Sequence, residues 1–278
     1  MKLIKSSFEI LEQAPGIQGI KKQIERAGRT CYKSEDKITE DSCEEFTQRM
    51  VNSGHHAMLE HGTVYLYIKY GSPLDNDNEY FKLVDIAIKY KKNKYSVVNT
   101  KVENTYWHHC WITTNYRVLV ENGWLDDLQY QCEPTEHHEK RITVKFILPI
   151  SISREFIRHR TASFAEQSTR YCNYSKSKFN GELTFIKSYW YDQYKEEFES
   201  SCQYYEDTYM MAIESGLKAQ EARELLPLCT KTELVMTAFV SDWVHFCSLR
   251  VATSAHPQAR ELAIPLKETF IEKGYLNG

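Results

Sequence analysis

The chain has 278 residues, of which 42% are apolar and 13% aromatic, so it can bury a substantial core. This length is long for one domain and short for two full ones, and we expect one domain with an elaboration. The formal net charge of −3 gives no global electrostatic reason to expect a nucleic-acid or membrane partner. Scattered cysteines without a C-x-x-C pattern, and no apolar run near the roughly 20 residues that span a bilayer, predict a cytoplasmic protein with free thiols.

The N-terminal part predicts a strand and then two helices. Residues 2–11 have the pattern of a strand, and residues 17–28 that of an amphipathic helix that ends at a glycine. A second helix begins at Ser42, because Glu45 stands three residues after this capping serine, and it ends near Gly54. A polar turn rich in histidine follows.

Alternating apolar residues predict two half-buried strands, at 63–70 and 141–149, which we expect to pair in one sheet. The segment 71–140 between them is interpreted as an inserted subdomain. It is predicted to hold two strands and a short capped helix, at 95–102, 106–112 and 115–123.

The rest of the chain is predicted to be mostly helical. A helix from Ser151 is expected to carry the basic residues Arg154, Arg158, His159 and Arg160. Further helices are predicted at 191–215, 218–226, 230–250 and 257–273. This order indicates an α+β fold with a central, mostly antiparallel sheet, helices packed on it and a helix-rich C-terminal half.

One stretch concentrates positive charge and hydroxyl groups. Arg158, His159, Arg160 and Arg170 lie close together in sequence, and serines and threonines lie among them. Guanidinium groups bind phosphate in a bidentate way, so this composition suits a nucleotide or a phosphorylated cofactor. A solvated basic helix end with ordinary salt bridges explains the composition equally well.

The string Arg158-His159-Arg160-x-x-Ser163-x-x-x-x-Ser168-x-Arg170 resembles the signature of the flavin-dependent thymidylate synthases. Other segments are similar to further motifs of that family and follow in the same order, namely Gly54-His55-x-x-x-x-Glu60-His61, Ala222-Arg223-x-x-Leu226-Pro227, His245-Phe246-x-x-Leu249-Arg250 and Ala255-His256-Pro257-Gln258-x-Arg260-Glu261. The resemblance covers about 1–70 and 141–275 and leaves the inserted segment out.

The resemblance implies reductive methylation of dUMP to dTMP. FAD would be the cofactor, and NADPH and 5,10-methylenetetrahydrofolate would be co-substrates. It also implies a homotetramer whose flavin sites are shared between subunits, so that one chain supplies only part of each site. Reduced flavin would provide the hydride, and the reaction would require no protein nucleophile.

The resemblance further implies a role for individual residues. The expected dUMP-binding residues are Glu155, Arg158, Glu166, Ser168, Arg170, Arg223 and Arg250. The expected FAD-binding residues are His55, Arg158, His159, Arg160, Glu166 and His245. Arg250 is the expected catalytic residue, because a permanently charged guanidinium beside the uracil ring would stabilise developing negative charge. Ser168 lacks an evident partner base, so we expect it to hydrogen-bond dUMP rather than attack it.

Several positions depart from the family pattern. Ala57 and Ala165 stand where a hydroxyl residue and an asparagine are common, and Glu155 stands where a glutamine is common. Phe239 and Ser241 fall where some members place asparagine and arginine on FAD. We therefore expect the adenosine end of the flavin to be held differently in this chain.

Two other functions fit parts of the sequence. Histidines at 55–61, 108–109 and 137–138 suggest a metalloenzyme, but their spacing fits known ligand patterns loosely, and we expect no metal site. A lysine run at 89–94 and an aromatic run at 106–111 suggest a nucleic-acid-binding module, against which the nearly neutral net charge argues.

Overall fold

The computed structural model of the protein describes residues 1–71 and 78–277. Residues 72–77, which open the predicted inserted segment, lie outside the described residues. The described chain alternates strands and helices, and the predicted α+β class is confirmed. Within these residues, no helix is both long and apolar enough to cross a membrane.

The strands are Lys2–Ile4 (β1), Ser7–Ile10 (β2), Thr63–Tyr70 (β3), Val97–Glu103 (β4), Trp107–Asn115 (β5), Arg141–Pro149 (β6), Ser163–Glu166 (β7), Thr184–Ile186 (β8) and Lys231–Phe239 (β9). The helices are Gly16–Tyr32 (α1), Ser42–Asn52 (α2), Asn78–Lys92 (α3), Tyr116–Asn122 (α4), Ile150–Phe156 (α5), Lys195–Glu214 (α6), Ala219–Ala222 (α7), Val240–Arg250 (α8) and Pro257–Glu272 (α9). Short 3₁₀ turns lie between several of them, including His56–His61 and Arg223–Leu225.

Within the described residues, the strands form three sheets. A four-stranded antiparallel sheet has the order β2-β6-β9-β7, and a three-stranded antiparallel sheet has the order β3-β5-β4. Strands β1 and β8 pair in parallel. The expectation that 63–70 and 141–149 pair with each other is wrong, because β3 pairs with β5 and β6 lies between β2 and β9.

Each antiparallel sheet has its own apolar core. The three-stranded sheet packs with α1, α2, α3 and α4 around Ile24, Phe46 and Tyr90. The four-stranded sheet packs with α5, α8 and α9 around Phe146 and Trp243. Both cores come from apolar residues at helical and strand spacing, which is the signal that predicted most of these elements.

Four predicted elements differ from the structure near the N-terminus and after β6. Residues 2–11 form two strands that belong to different sheets. Helix α1 continues past Gly28, which the chain needs for packing, because a Cβ at this position would overlap the Phe46 ring. Asp41 rather than Ser42 precedes the first turn of α2. Helix α5 ends at Phe156, so Arg158, His159 and Arg160 follow the helix instead of lying on it.

The predicted helix at 230–250 is partly wrong. Residues 231–239 form β9, which lies between β6 and β7 and pairs with both. Only residues 240–250 are helical. Nearly all of β9 is buried, so it shows a continuous apolar and threonine-rich run without the alternation that marks a half-exposed strand. The segment predicted at 218–226 is the short helix α7 followed by a 3₁₀ turn. Helices α4, α6 and α9 are confirmed to within a few residues of the predicted ends.

Candidate functional site

A cleft of about 570 Å³ lies where α5, the segment after β7 and the turn after α7 meet. It is lined by Arg154, Glu166, Ser168, Arg170 and Arg223, and we call it the nucleotide cleft. Four of these residues are among those expected to bind dUMP, and they come from two segments more than 50 residues apart in the sequence. The chain therefore brings the signature and the Arg223 segment together as the resemblance implied.

Backbone hydrogen bonds fix the signature segment of this cleft. The backbone N–H of Ser168 donates to the carbonyl of Cys31 at the end of α1, at 2.8 Å. The Ser168 Oγ accepts from the backbone N–H of Arg170 at 3.2 Å. Because Cys31 Sγ also lies 3.9 Å from Met58 Sδ, α1 connects the signature to the histidine-rich turn.

The charges of the nucleotide cleft favour an anion. Three arginines line it, and the nearest carboxylates are Glu166 and Glu224, the second of which lies 3.5 Å from Arg223 Nε. Burial raises the pKa of the Glu166 carboxyl, against the opposing effects of the Ser153 and Thr232 hydroxyls and the charge of Arg154. Three arginines therefore line the cleft with two carboxylates, which leaves positive charge in excess.

A cluster of lysines surrounds one buried carboxylate next to residues that line the cleft. Glu233 on β9 is 4% exposed, and its carboxylate contacts Lys33 at 2.7 Å, Lys145 at 2.6 Å and Lys231. The lysine charges hold the pKa of Glu233 at about 2, although burial opposes this. Lys231 also donates to the Gln167 side chain at 3.0 Å. The lysines are far apart in sequence, so sequence reasoning missed this cluster.

Arg250 forms a second group with residues of α5 and the segment after it. Its Nη1 donates to the Glu155 carboxylate at 2.8 Å and its Nη2 to the Glu155 carbonyl at 2.5 Å. Its Nε donates to Nε2 of His159 at 3.1 Å. Since Glu155 follows Arg154, helix α5 presents one side chain to the nucleotide cleft and the next to Arg250.

His159 is held neutral in this group. It is 8% exposed, and burial, Arg250 and His245 lower its pKa to about 4. Burial also lowers the pKa of Arg250, against the attraction of Glu155. The His245 ring lies 5.9 Å from the His159 ring, so two of the expected FAD-binding histidines are neighbours. A neutral imidazole accepts the arginine N–H and has an uncharged face for a ring.

Arg160 lies at a different and larger cleft, of about 1130 Å³. Glu60, Arg141, Phe239 and Ser241 line the same cleft, together with residues of the inserted segment. The side chains of Phe239 and Ser241 therefore share a cleft with an expected FAD-binding arginine. We call this the insert cleft.

The remaining expected site residues are less closely connected within one chain. Arg158 is exposed and acts electrostatically on Arg250. His55 is exposed at the start of the His56–His61 turn, and its backbone N–H donates to Met50 at 3.0 Å. One chain thus divides the expected residues among the nucleotide cleft, the Arg250 group, the insert cleft and the exposed His55.

The histidines considered as metal ligands have other contacts. His56 contacts Glu121 at 3.0 Å, His109 contacts Tyr67 at 2.7 Å, and His138 bonds to the Leu66 carbonyl at 3.1 Å. Among residues 1–71 and 78–277, no group of three or more histidine, cysteine, aspartate or glutamate side chains is arranged to hold a metal ion.

Comparisons with known proteins agree with the motifs. A family model described as thymidylate synthase complementing protein matches residues 104–273, more than half of the chain. A flavin-dependent thymidylate synthase of Geobacter sulfurreducens is 30% identical over 114 residues, which cover 41% of this chain and 49% of that protein. One of Synechocystis is 30% identical over 146 residues, covering 47% and 66%. The matched regions thus span about half to two thirds of these curated relatives.

A solved structure of a UMP/dUMP methylase, PolB from Streptomyces cacaoi bound with 5-Br dUMP, is 16% identical, covers 98% of this chain and 93% of its own, and has a TM-score of 0.44. The family match begins within the predicted inserted segment and includes the signature, Arg223 and Arg250. The resemblance found in the motifs is therefore confirmed: this chain belongs to the thymidylate synthase complementing protein family, Thy1.

Proposed function

We propose that the protein is a flavin-dependent thymidylate synthase that converts dUMP, 5,10-methylenetetrahydrofolate and NADPH into dTMP, tetrahydrofolate and NADP⁺. The methylene carbon becomes the new methyl group, and the hydride of the nicotinamide with one proton supplies the two hydrogens that the products require. The observation that carries this proposal is the nucleotide cleft, in which residues of the family signature and Arg223 meet.

The nucleotide cleft suits the phosphate of dUMP. Arg154, Arg170 and Arg223 line it, and a guanidinium keeps its charge at neutral pH and binds phosphate oxygens through two parallel N–H groups. Glu166 and Ser168 add an acceptor and a hydroxyl for the sugar or the base. Arg154 was absent from the residues expected to bind dUMP, and we add it to them.

Arg250 is proposed to activate the uracil ring. Its guanidinium is half-buried and fixed by Glu155 and His159. A fixed donor in a partly dry site stabilises charge that develops on a pyrimidine oxygen better than a mobile one would. Glu155 stands where glutamine is common in the family, and in this chain its carboxylate forms an ion pair with Arg250.

The donor chemistry of the described residues fits FAD. His55, Arg158, His159, Arg160, Glu166 and His245 are the proposed flavin-binding residues. His159 offers a neutral ring, and Arg158 and Arg160 are exposed cations that suit a pyrophosphate. Bound FAD would carry the hydride from the nicotinamide toward the one-carbon unit.

Ser168 is proposed to orient the substrate. Its Oγ is engaged by the backbone N–H of Arg170, which positions the hydroxyl without removing its proton. An unactivated serine is a weak nucleophile, so hydrogen bonding to dUMP is the role that fits.

The division of the expected residues among separate places on one chain supports a homotetramer with shared sites. We further propose NADPH as the reductant, a cytoplasmic location, and a single domain with a subdomain at 71–140.

The experiment that tests the proposed function is an absorption spectrum of the purified protein with and without dUMP, followed by chromatography of the released flavin. Flavin bands that shift on addition of dUMP, with FAD released on denaturation, are expected. A colourless protein that fails to bind added FAD contradicts the proposal.

A further inference from the structure

We propose that the inserted segment adds Lys92 and Lys94 to the site that holds the adenosine diphosphate half of a dinucleotide. Both lysines line the insert cleft together with Arg160, and they would contact the phosphates of that half. This inference rests on the proposed function, which requires two dinucleotides, FAD and NADPH. It assigns a binding role to residues that lie outside every motif of the signature.

The insert cleft is built by two distant parts of the chain. Residues 92–95 and Val97, at the connection from α3 to β4, line it together with Arg117 of α4. Residues 160–164, 239 and 241–242 also line it. The inserted segment and the first part of the signature therefore line one cleft, and a ligand held there would contact both.

The charge of the insert cleft is positive. Its lining holds Lys92, Lys94, Arg117, Arg141 and Arg160 against the carboxylates Glu60, Glu121 and Asp242. Arg117 compensates Glu60 at 2.5 Å and Glu121 at 2.8 Å. Lys92, Lys94 and Arg160 are exposed at the cleft. These cations remain for an anion with more than one charge, such as a diphosphate.

The size and the aromatic content of the cleft favour a nucleotide over a simple ion. Its volume of about 1130 Å³ slightly exceeds the roughly 300–1,000 Å³ of ordinary ligand pockets, so the cleft has room for far more than a simple ion. Tyr95, Phe164 and Phe239 line it. The Arg141 guanidinium lies 5.5 Å from the centre of the Phe239 ring, so aromatic and cationic groups line the same cleft as the lysines. A purine stacks on such surfaces.

The wall that carries Lys94 is fixed in place. The Asn93 side-chain oxygen accepts hydrogen bonds from the backbone N–H of Tyr95 at 2.9 Å and from Ser96 Oγ at 3.3 Å. Ser96 Oγ also lies 2.8 Å from Thr114 Oγ1 on β5. The turn is therefore attached to the three-stranded sheet before any ligand binds, which reduces the entropy lost on binding.

The experiment compares the double variant Lys92→Ala/Lys94→Ala with a matched control, Lys91→Ala/Lys101→Ala. The control lysines are exposed and belong to the same segment but do not line the cleft. Affinities for FAD, FMN and ADP are measured by fluorescence titration of flavin-free protein, and the affinity for NADPH by calorimetry of flavin-loaded protein. Circular dichroism verifies that both variants are folded.

We expect the cleft variant to lose about tenfold or more in affinity for ADP and for one dinucleotide, because two charge-assisted contacts are removed. FMN affinity should change by less than about twofold, since FMN lacks the adenosine half. Loss for FAD identifies the flavin as the natural ligand, and loss for NADPH identifies the nicotinamide. Unchanged affinities for ADP, FAD and NADPH, or an equal loss in the control, would overturn the inference. A parent protein that binds ADP through these lysines but takes no FAD would overturn the proposed function and leave the inference standing.

Discussion

The Nε of Arg250 lies 3.1 Å from Nε2 of His159, with the arginine as donor and the imidazole as acceptor. This contact requires a neutral imidazole, which agrees with the lowered pKa of His159, about 4. The pair joins a residue proposed to activate dUMP to one proposed to line the flavin. The protonation state of His159 therefore bears on both parts of the site.

We expect acid to destabilise the protein through His159. An unfolded histidine gains its proton near its ordinary pKa of 6.5, while folded His159 stays neutral down to about 4. The stability that neutral His159 contributes is thus fully present above pH 6.5 and falls as the pH drops toward 4. At pH 5 the loss from this residue should be about 2 kcal/mol.

The variant His159→Gln keeps a hydrogen-bond acceptor for Arg250 but has no group to titrate. Urea unfolding at pH 7 and pH 5 measures the pH dependence of parent and variant. Between pH 7 and pH 5, the free energy of unfolding of the variant should fall by about 2 kcal/mol less than that of the parent. Equal losses would show that His159 does not carry this dependence. His61, whose pKa burial lowers to about 3, contributes equally to both proteins and cancels in the comparison.

Removal of Arg223 should weaken dUMP binding and leave flavin content unchanged. Arg223→Ala deletes one guanidinium of the nucleotide cleft and leaves the phosphate underpaired, which should cost roughly 2–5 kcal/mol of binding free energy. Calorimetric titration with dUMP measures the loss, and Arg49→Ala, an exposed arginine on α2, is the control. Parent-like dUMP affinity in Arg223→Ala would remove this residue from the site.

Arg250→Lys should slow methyl transfer to dUMP and leave reduction of the flavin by NADPH intact. Lysine keeps the charge but cannot donate at once to Glu155 and His159, so turnover to dTMP should fall by about a hundredfold or more. Oxidation of NADPH by the bound flavin should survive, because this half-reaction does not need an activated uracil. Stopped-flow absorbance and dTMP analysis measure the two steps. If both fall equally, Arg250 supports the flavin rather than the pyrimidine.

Glu233→Gln should destabilise the fold strongly. The substitution removes the buried carboxylate from Lys33, Lys145 and Lys231 and leaves the three charges facing one another. Loss of one partner of a buried ion pair costs about 3–5 kcal/mol, which urea unfolding at pH 7 would measure. Glu35→Gln, at a more exposed carboxylate that contacts two of the same lysines, should cost less than about 1 kcal/mol. Similar costs for the two variants would contradict the importance of burial here.

Features that depend on residues within a single helix or strand were predicted well from the sequence. The capped helix α4 is an example, since the Asn115 side chain accepts from the Val118 N–H and Gly123 takes the left-handed conformation at its end. The signature residues and Arg223 of the nucleotide cleft belong to recognisable motifs, whereas Arg154 lies outside these motifs and was missed. Features that depend on contacts between residues distant in sequence were harder to predict. β9 was assigned as a helix because a strand buried between two others loses the alternation that marks a strand.

The pairing of β6 illustrates the same limit. Both β3 and β6 show the alternation of a half-buried strand, and nothing in their own residues states which strand each will neighbour. The Glu233 cluster and the contribution of residues 92–95 to the insert cleft were missed for this reason as well. Each depends on side chains that come together only when the sheets have formed.

The most direct test of the proposed function is mass-spectrometric detection of dTMP after the FAD-loaded protein is incubated with dUMP, 5,10-methylenetetrahydrofolate and NADPH. We predict dTMP and tetrahydrofolate in equal amounts, with dTMP formation lost when NADPH or the flavin is withheld. A protein that holds FAD and binds dUMP but forms no dTMP with all substrates present, or that forms it equally well without flavin, would contradict the assignment.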